Sequence, residues 1–382
     1  MRFVLTDRKS ILLIIFLSLM VYIPYILSFD SEHSDRHYWT GDSWWYMQIV
    51  ESMVQNGDLD ISNNIPPSMH VSQSQLALSA KGYLAPKHGI FFPLVSVPFY
   101  LLFGNAGYPL FNLILTIGIL ILLFQIIRVF FDELIALTTT LIYAFSSVIF
   151  LYSYNYLADL WSVMLMLFGI KLVLQSKYYG ASIFIALAIF AKVTNVVWVA
   201  PIFIFIGIDL WSKRNAKFII FLKEVLKIAL IFLIMILPVL VSNYLIYGSP
   251  FITGYQRIVS YTMDGNMILL AHTTDFNNSF FDGLSVLFFD SNVGILWDNY
   301  VIIIAVLGIV FSYRIKQRSS VLLLLSIVVL QLLFFSKYNY SLATEFGNRF
   351  LYLSIVLSSV FVANIMDLLQ KKLSINSGKQ TK

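Results

Sequence analysis

Asp42 sits in GDSWWYMQIVESMVQNGDLDI, residues 41–61, directly before two tryptophans and a tyrosine. Amphipathic rings favour a water–lipid boundary, where a charge is cheap and an acid can reach a lipid head group. A carboxylate held there can take the proton of a hydroxyl nucleophile. It can equally be the N-cap of the helix that follows, and spacing alone leaves both roles open. Cations that could meet an anionic head group lie elsewhere in the chain. Lys192 interrupts the apolar stretch IALAIFAKVTNVVW, where snorkelling is the structural alternative to head-group binding. Arg349, in EFGNRF, opens the last apolar run, and its planar guanidinium can grip phosphate with two donors, unless it pairs with Glu345 four residues earlier. Lys87 and His88 follow one another in YLAPKHGIFFP, and Arg257 is a third-choice cation with a solvated loop charge as its alternative. Asp159, in YNYLADLW, is another acid at the end of an apolar run, as a loop acid or helix cap in the plain structural reading.

Charges at these places matter only if a membrane surrounds them, and the composition says that one does. The 382 residues are 59% hydrophobic and 12% charged, with 33 Phe and a mean hydropathy of +0.82. No soluble core of this length hides so much apolar surface. The absence of cysteine excludes disulfides, iron–sulfur clusters and thiol nucleophiles. The opening MRFVLTDRKSILLIIFLSLMVYIPYILSFD has a basic start and an apolar stretch like a secretory signal. Its uncharged run, residues 10–28, is nevertheless long enough to span, and no small-x-small cleavage site follows, so it is expected to be a retained first span.

Further runs suited to crossing lie at 108–127, 134–152, 160–174, 178–191, 193–208, 228–244, 295–311, 320–335 and 350–366. With a cytoplasmic amino terminus, these ten segments put all but seven of the 25 lysines and arginines inside: only Arg36, Lys81, Lys87, Lys192, Arg257, Lys337 and Arg349 fall outside. Reading 178–208 as one span would spoil that pattern. The formal charge of +5 is therefore a topology signal, and nucleic acid is not an expected partner. The polar mass falls outside, in residues 29–107, 248–292 and 336–349, so chemistry is expected on the extracytoplasmic face. The apolar segment 88–104 contains Pro93 and Pro98 and is expected as an interfacial or re-entrant element. One transmembrane domain, 1–370, is expected, followed by a disordered cytoplasmic tail, 371–382.

Within the first outer loop, Tyr46, Ile49, Val50, Met53 and Val54 recur at helical spacing, with Gln48, Glu51, Ser52 and Gln55 opposite and Gly57 as terminator. That pattern predicts an amphipathic helix lying on the membrane, anchored by Trp44, Trp45 and Tyr46. Glu51 falls on the opposite side of the helix from Asp42, and Asp58 and Asp60 read as turn residues.

A first span, an outer loop opening with Gly-Asp and aromatics, the turn NGDLDI and a His-Gly-x-x-x-Pro-Leu segment together resemble the GT-C superfamily of polytopic glycosyltransferases. LIYAFSSVIFLYSYNYLADLWSVML, NYLIYGSPFITGYQ, FFDSNVGILWDNYVIIIAVLGI and EFGNRFLYLSIVL extend the resemblance over nearly the whole chain. It implies an all-α integral membrane bundle of about ten helices that takes a sugar from a polyprenyl-phosphate donor, as mannosyl-, arabinosyl- and aminoarabinosyltransferases do. The acceptor would be a hydroxyl of a glycan, lipid or protein. On that footing Asp42 is the candidate base, and Asp159 matches a second acidic position that could orient the acceptor. Together they could bind a divalent metal, Mg or Mn. Arg349, Lys192, Lys87, His88, Arg257 and Tyr46 are the candidate contacts to donor phosphate and sugar. Ser43 departs from the pattern, since many relatives carry a second acid there, and this weakens the metal option. Two other readings stand beside this one: a flippase or transporter of a lipid-linked sugar, and a polysaccharide polymerase or ligase using a lipid diphosphate.

Overall fold

The structure, a computed structural model, describes residues 7–27, 42–64, 76–213, 218–261, 267–269, 276–339 and 348–380. Arg36 and Glu345 lie outside them. In lipid a backbone can satisfy its own hydrogen bonds only as a helix or a closed barrel, and the apolar runs accordingly become helices. They are α1 (Asp7–Leu27), α2 (Asp42–Glu51), α3 (Phe91–Phe103), α4 (Gly107–Ile127), α5 (Glu133–Ser146), α6 (Val148–Tyr152), α7 (Ala158–Leu174) and α8 (Tyr178–Ala191). After them come α9 (Val199–Lys213), α10 (Phe218–Tyr247), α11 (Phe280–Phe289), α12 (Ile295–Asp298), α13 (Val301–Val310), α14 (Arg318–Phe335) and α15 (Tyr352–Gln380).

Five helical stretches, Phe91–Ile127, Val193–Lys213, Phe218–Tyr247, Arg318–Phe335 and Arg349–Ser374, are long and apolar enough to cross a membrane; α5, α8, α11 and α13 are shorter apolar helices. The chain is a multi-pass membrane protein. α10 shows why lipid must be its solvent: Leu226, Leu230, Leu233, Leu237 and Leu245 are all exposed along one helix with no protein over them.

Two of the segments expected as continuous spans are interrupted. Residues 134–152 break at Ser147, whose extended backbone ends α5 and whose side chain accepts from Ile149 N–H to start α6. Residues 295–311 break at Asn299, between α12 and α13. Asn299 is fully buried and joins the two breaks: its side-chain oxygen accepts from Val148 N–H at 2.8 Å, and its amide donates to Ile295 C=O at 3.2 Å. A helix can break inside a bundle when a neighbouring side chain takes over the freed backbone groups. The expected division between 191 and 193 is present. Lys192 is extended there, a 3-10 turn covers Val193–Trp198, and the Asn195 amide donates to Ala188 C=O at 2.6 Å. Residues 91–103 form the helix α3, which turns back onto α4 so closely that a side chain at Gly107 would meet the Phe99 carbonyl at 2.3 Å.

The fold is not wholly helical. β1 (Leu76–Leu78) pairs antiparallel with β2 (Leu84–Pro86), and β3 (Val259–Tyr261) with β4 (Met267–Leu269). A bridge from Ala77 to Ile258 and a hydrogen bond from Leu78 N–H to Arg257 C=O tie the segment before α3 to the segment after α10. Alternating three-residue strands are too short for a periodicity reading to separate from loop. α15 also continues through Gln380, where a disordered tail was expected.

The connections gather into two sets. Asp7 meets Arg128, Ser10 meets Glu133, Gln317 donates to Val129 C=O, Lys171 to Gln125, and Lys213 to Ser176. At the other set, residues 42–64, 76–88, 246–261, 335–339 and 348–350 meet, with Asn278 bridging to Lys337 and Tyr338. Asn299→Ala leaves the buried Val148 N–H without its acceptor and is expected to cost ~1–3 kcal/mol. The check is thermal unfolding in detergent, where an unchanged midpoint would remove the stitch as a stabilising element.

Candidate active site

α2 begins at Asp42, and protein covers both of its faces. Asp42, Ser43, Trp45, Tyr46, Gln48, Ile49 and Val50 are all buried, and Gln48, expected on a wet face, is 7% exposed. α2 packs against α3, with the Tyr46 ring edge-on to Phe92 at 5.2 Å, and Asn64 donates to Gln48 C=O. Coverage by a distant loop is invisible to helical periodicity. Only Trp44 is left half-buried among the three expected anchors. A single wide π turn, Ser52–Asn56, closes at Gly57 with φ 72°, so the expected terminator is in place. Asp58 and Asp60 serve the turn: Asp58 accepts from Ser52 Oγ at 2.7 Å, Asp60 from Ser62 N–H at 2.9 Å.

Both oxygens of Asp42 are engaged. Arg349 Nη2 donates to Oδ2 at 2.5 Å, and His88 Nε2 lies 3.1 Å from Oδ1. Burial pushes the Asp42 carboxyl up, but the Arg349 guanidinium, and after it His88, outweigh this and hold it well below the usual carboxylate range. His88 goes the other way. Its burial lowers the imidazole below the ordinary histidine value despite Asp42, with Lys87 and Arg349 adding to the fall. The neutral ring must donate Nε2–H to the carboxylate, which only accepts, so Nδ1 accepts from the Tyr255 hydroxyl 2.9 Å away. A relay Tyr255–His88–Asp42 results, with the loop after α10 at its far end. Gly254 makes that approach possible, because a side chain there would lie 2.4 Å from the Lys87 carbonyl.

Lys87 places its ammonium over the Tyr255 ring at 5.4 Å. Asp159, in the first turn of α7 and 7% exposed, accepts from Lys192 Nζ at 2.5 Å. The Lys192 ammonium is 5.0 Å, and the Arg349 guanidinium 5.5 Å, from the centroid of one ring, Phe350. The two acid–cation pairs are therefore neighbours across Phe350. Tyr46 lies between the acids: burial raises its hydroxyl's pKa, and Asp42, Tyr255 and Asp159 all push it further up.

Seven of the eight expected site residues thus converge: Asp42, Asp159, Arg349, Lys192, His88, Lys87 and Tyr46. Arg257 stands apart. Its Nε donates to Leu78 C=O at 2.5 Å and Nη2 to Ser79 C=O at 3.4 Å, so it clamps the segment after α10 to β1. Phe350, Tyr255, Gln331 and Asn348 were not singled out by sequence. Gln331 on α14 accepts from Ser354 N–H at 2.9 Å and donates to Phe350 C=O, fixing the chain just past Arg349. Asn348 has φ 54° and is 2% exposed, with no hydrogen-bond partner for its amide among the described residues. Phe350 and Asn348 flank Arg349, and that adjacency was the one signal in the sequence.

In this structure the two carboxylates are occupied by protein cations. Asp42 is met by Arg349 and His88 and Asp159 by Lys192, and among the described residues no three His, Cys, Asp or Glu side chains group as ligands. Three full cations, Arg349, Lys192 and Lys87, surround two acids. That excess suits one further anion, brought by a ligand.

Neither a protein-family model nor a curated protein sequence matches the chain. Solved structures do. The chain superposes on the apo oligosaccharyltransferase of Archaeoglobus fulgidus with a TM-score of 0.55 and 14% identity, over 98% of this chain and 52% of that one. ArnT of Cupriavidus metallidurans bound to undecaprenyl phosphate gives 0.60 and 13%, over 93% and 59%. The fold is GT-C-like. The archaeal oligosaccharyltransferase AglB, in complex with an inhibitory peptide and a dolichol-phosphate, gives 0.54 and 12%, over 98% and 51%. The chain spans between half and three-fifths of the length of these neighbours.

The two shifts have the same consequence for stability. A depressed carboxylate stabilises above its unfolded value and loses that contribution as pH falls through the folded value; a histidine buried neutral costs stability wherever the unfolded ring is protonated, below about pH 6.5. Acidification from neutrality is therefore expected to lower the thermal midpoint first through His88 and then, further down, through Asp42. His88→Gln should flatten the first part of that curve in detergent. An identical slope between pH 7 and 5 in both proteins would show that His88 is not the titrating group.

Proposed function

We propose that this chain is a membrane glycosyltransferase that moves a sugar from a polyprenyl-phosphate donor to an acceptor hydroxyl on the extracytoplasmic face. The observation that carries the proposal is the convergence of Asp42, His88 and Arg349 with Lys192 and Asp159 around Phe350. Nucleotide sugars and ATP are cytoplasmic, so transfer on the outer face needs a donor that has already crossed. A polyprenyl-phosphate sugar meets that need. The solved neighbours that hold undecaprenyl phosphate and dolichol-phosphate support the same donor class.

In the reaction, the acceptor O–H gives its proton to Asp42 while its oxygen bonds to the anomeric carbon. The bond from that carbon to the phosphate oxygen breaks, and its electron pair leaves on polyprenyl phosphate, with inversion at the sugar. Arg349 and Lys192 take up the charge growing on the phosphate. His88, braced by Tyr255, holds the Asp42 carboxylate in place, and Asp159 orients the acceptor or tethers Lys192. The acceptor is a glycan, lipid or protein; the inhibitory peptide in the AglB complex favours none of them for this chain.

Both termini are proposed to be cytoplasmic, with about ten crossings. Two observations support this. From the stretches assigned outside, 29–107, 248–292 and 336–349, the described residues Asp42, His88, Tyr255 and Arg349 meet, and at the ends assigned inside Ser10 meets Glu133 and Gln317 meets Val129.

The test is transfer from labelled polyprenyl-phosphate sugars to candidate acceptors by purified protein. Asp42→Asn is expected to lose about 100-fold to 10,000-fold in rate, the usual share of a general base. Equal transfer by both proteins eliminates Asp42 as base. Movement of the labelled lipid between leaflets without transfer makes the chain a flippase.

A further inference from the structure

The base and the phosphate-binding cation of the proposed reaction hold each other. Arg349 Nη2 lies 2.5 Å from Oδ2 of Asp42, the Asp42 side chain is 9% exposed, and the pair joins residues 307 apart in sequence. An acid held this way is a poor proton acceptor, because the guanidinium stabilises its charged form. A guanidinium spent on a carboxylate is likewise a poor phosphate ligand.

We propose that the donor's phosphate displaces Asp42 from Arg349, so that donor binding itself releases the base. The inference rests on the glycosyltransferase reading given above. The phosphodiester of the donor carries one negative charge, as a carboxylate does, and offers the same two-point geometry to a guanidinium, so with Lys192 also at the Phe350 ring it can compete with Asp42 for Arg349. The landing place is built for it. Arg349 and Lys192 both lie within 5.5 Å of the centre of the Phe350 ring, so one anion at that ring can meet both cations.

The two oxygens of Asp42 then have separate tasks. Oδ1 stays on His88, which Tyr255 holds from behind, so the carboxylate keeps its position when Arg349 leaves. Oδ2 is bared to receive the acceptor's proton. Without donor, Oδ2 remains covered and acceptor hydroxyls or water find no base. Donor must therefore bind before the acceptor is activated.

The probe is undecaprenyl phosphate, without sugar, and the readout is binding to full-length protein in detergent. Wild type, Asp42→Asn, Arg349→Gln and the double variant form a cycle that isolates the coupling of the pair. Removing the internal competitor is expected to make Asp42→Asn bind at least about tenfold tighter, the low end of what an arginine is worth to an adjacent carboxylate. That gain should vanish in the Arg349→Gln background. A gain of equal size in both backgrounds is a through-space effect of one negative charge and overturns the exchange, as does unchanged or weaker binding by Asp42→Asn. Asp159→Asn, which frees Lys192 alone, should keep its own effect in either Arg349 background.

If a variant does not fold, the wild type still answers. With carboxyl-13C aspartate, adding undecaprenyl phosphate should shift one carboxylate stretching band as Oδ2 loses its guanidinium. Binding with no band shift overturns the exchange while leaving the donor class intact. No binding by wild type overturns the donor class, and the exchange with it.

Discussion

A carboxylate taken out of water beside a guanidinium is the constraint around which this structure is arranged. Asp42 opens the first described helix after α1 and Arg349 precedes the last helix, so their contact closes almost the whole chain into one unit. Neither charge is tolerable alone in that place. Breaking a buried pair by removing one partner costs ~3–5 kcal/mol, since the other is stranded. The pairing therefore governs where α2 and the start of α15 can sit.

The surrounding structure keeps that pair from having any other geometry. On one side, His88 and Tyr255 fix the carboxylate, and they can meet only because Gly254 lets its loop approach the Lys87 backbone. On the other, Gln331 takes both the Phe350 carbonyl and the Ser354 amide, which sets the turn that carries Arg349. Arg257, using its guanidinium on two backbone carbonyls, holds together the loops that supply His88 and Tyr255. Polar groups at helix breaks perform the same service lower down: Asn195 beside Lys192, and Asn299 between α12 and α6. In lipid such side chains can take over from lost backbone partners.

Hydropathy located nearly all the helices, because each apolar run must bury or solvate its own backbone and the sequence states where those runs end. It located Lys192 as a break for the same reason. It missed the breaks at Ser147 and Asn299, which cost nothing in hydropathy and are repaired by a residue 151 positions away. It also gave α2 a wet face. The apolar and polar faces of that helix are real, yet Gln48 is covered by a loop whose position periodicity cannot express.

Within the site, residue type and place at a segment end brought out Lys192 and Arg349, since an ionisable group beside lipid is expensive and must have a partner or a task, while Asp42, Asp159 and His88 needed the family resemblance as well and Lys87 came as the neighbour of His88. The sequence by itself determined that inventory and the two-ended distribution of charge. Which acid meets which cation was decided only by the tertiary structure. Partnership depends on distance in space, and Asp42–Arg349, Asp159–Lys192 and His88–Tyr255 are 307, 33 and 167 residues apart along a chain that folds back on itself many times. The same folding turned Arg257 from a phosphate ligand into a loop clamp and made Phe350 the surface shared by both cations.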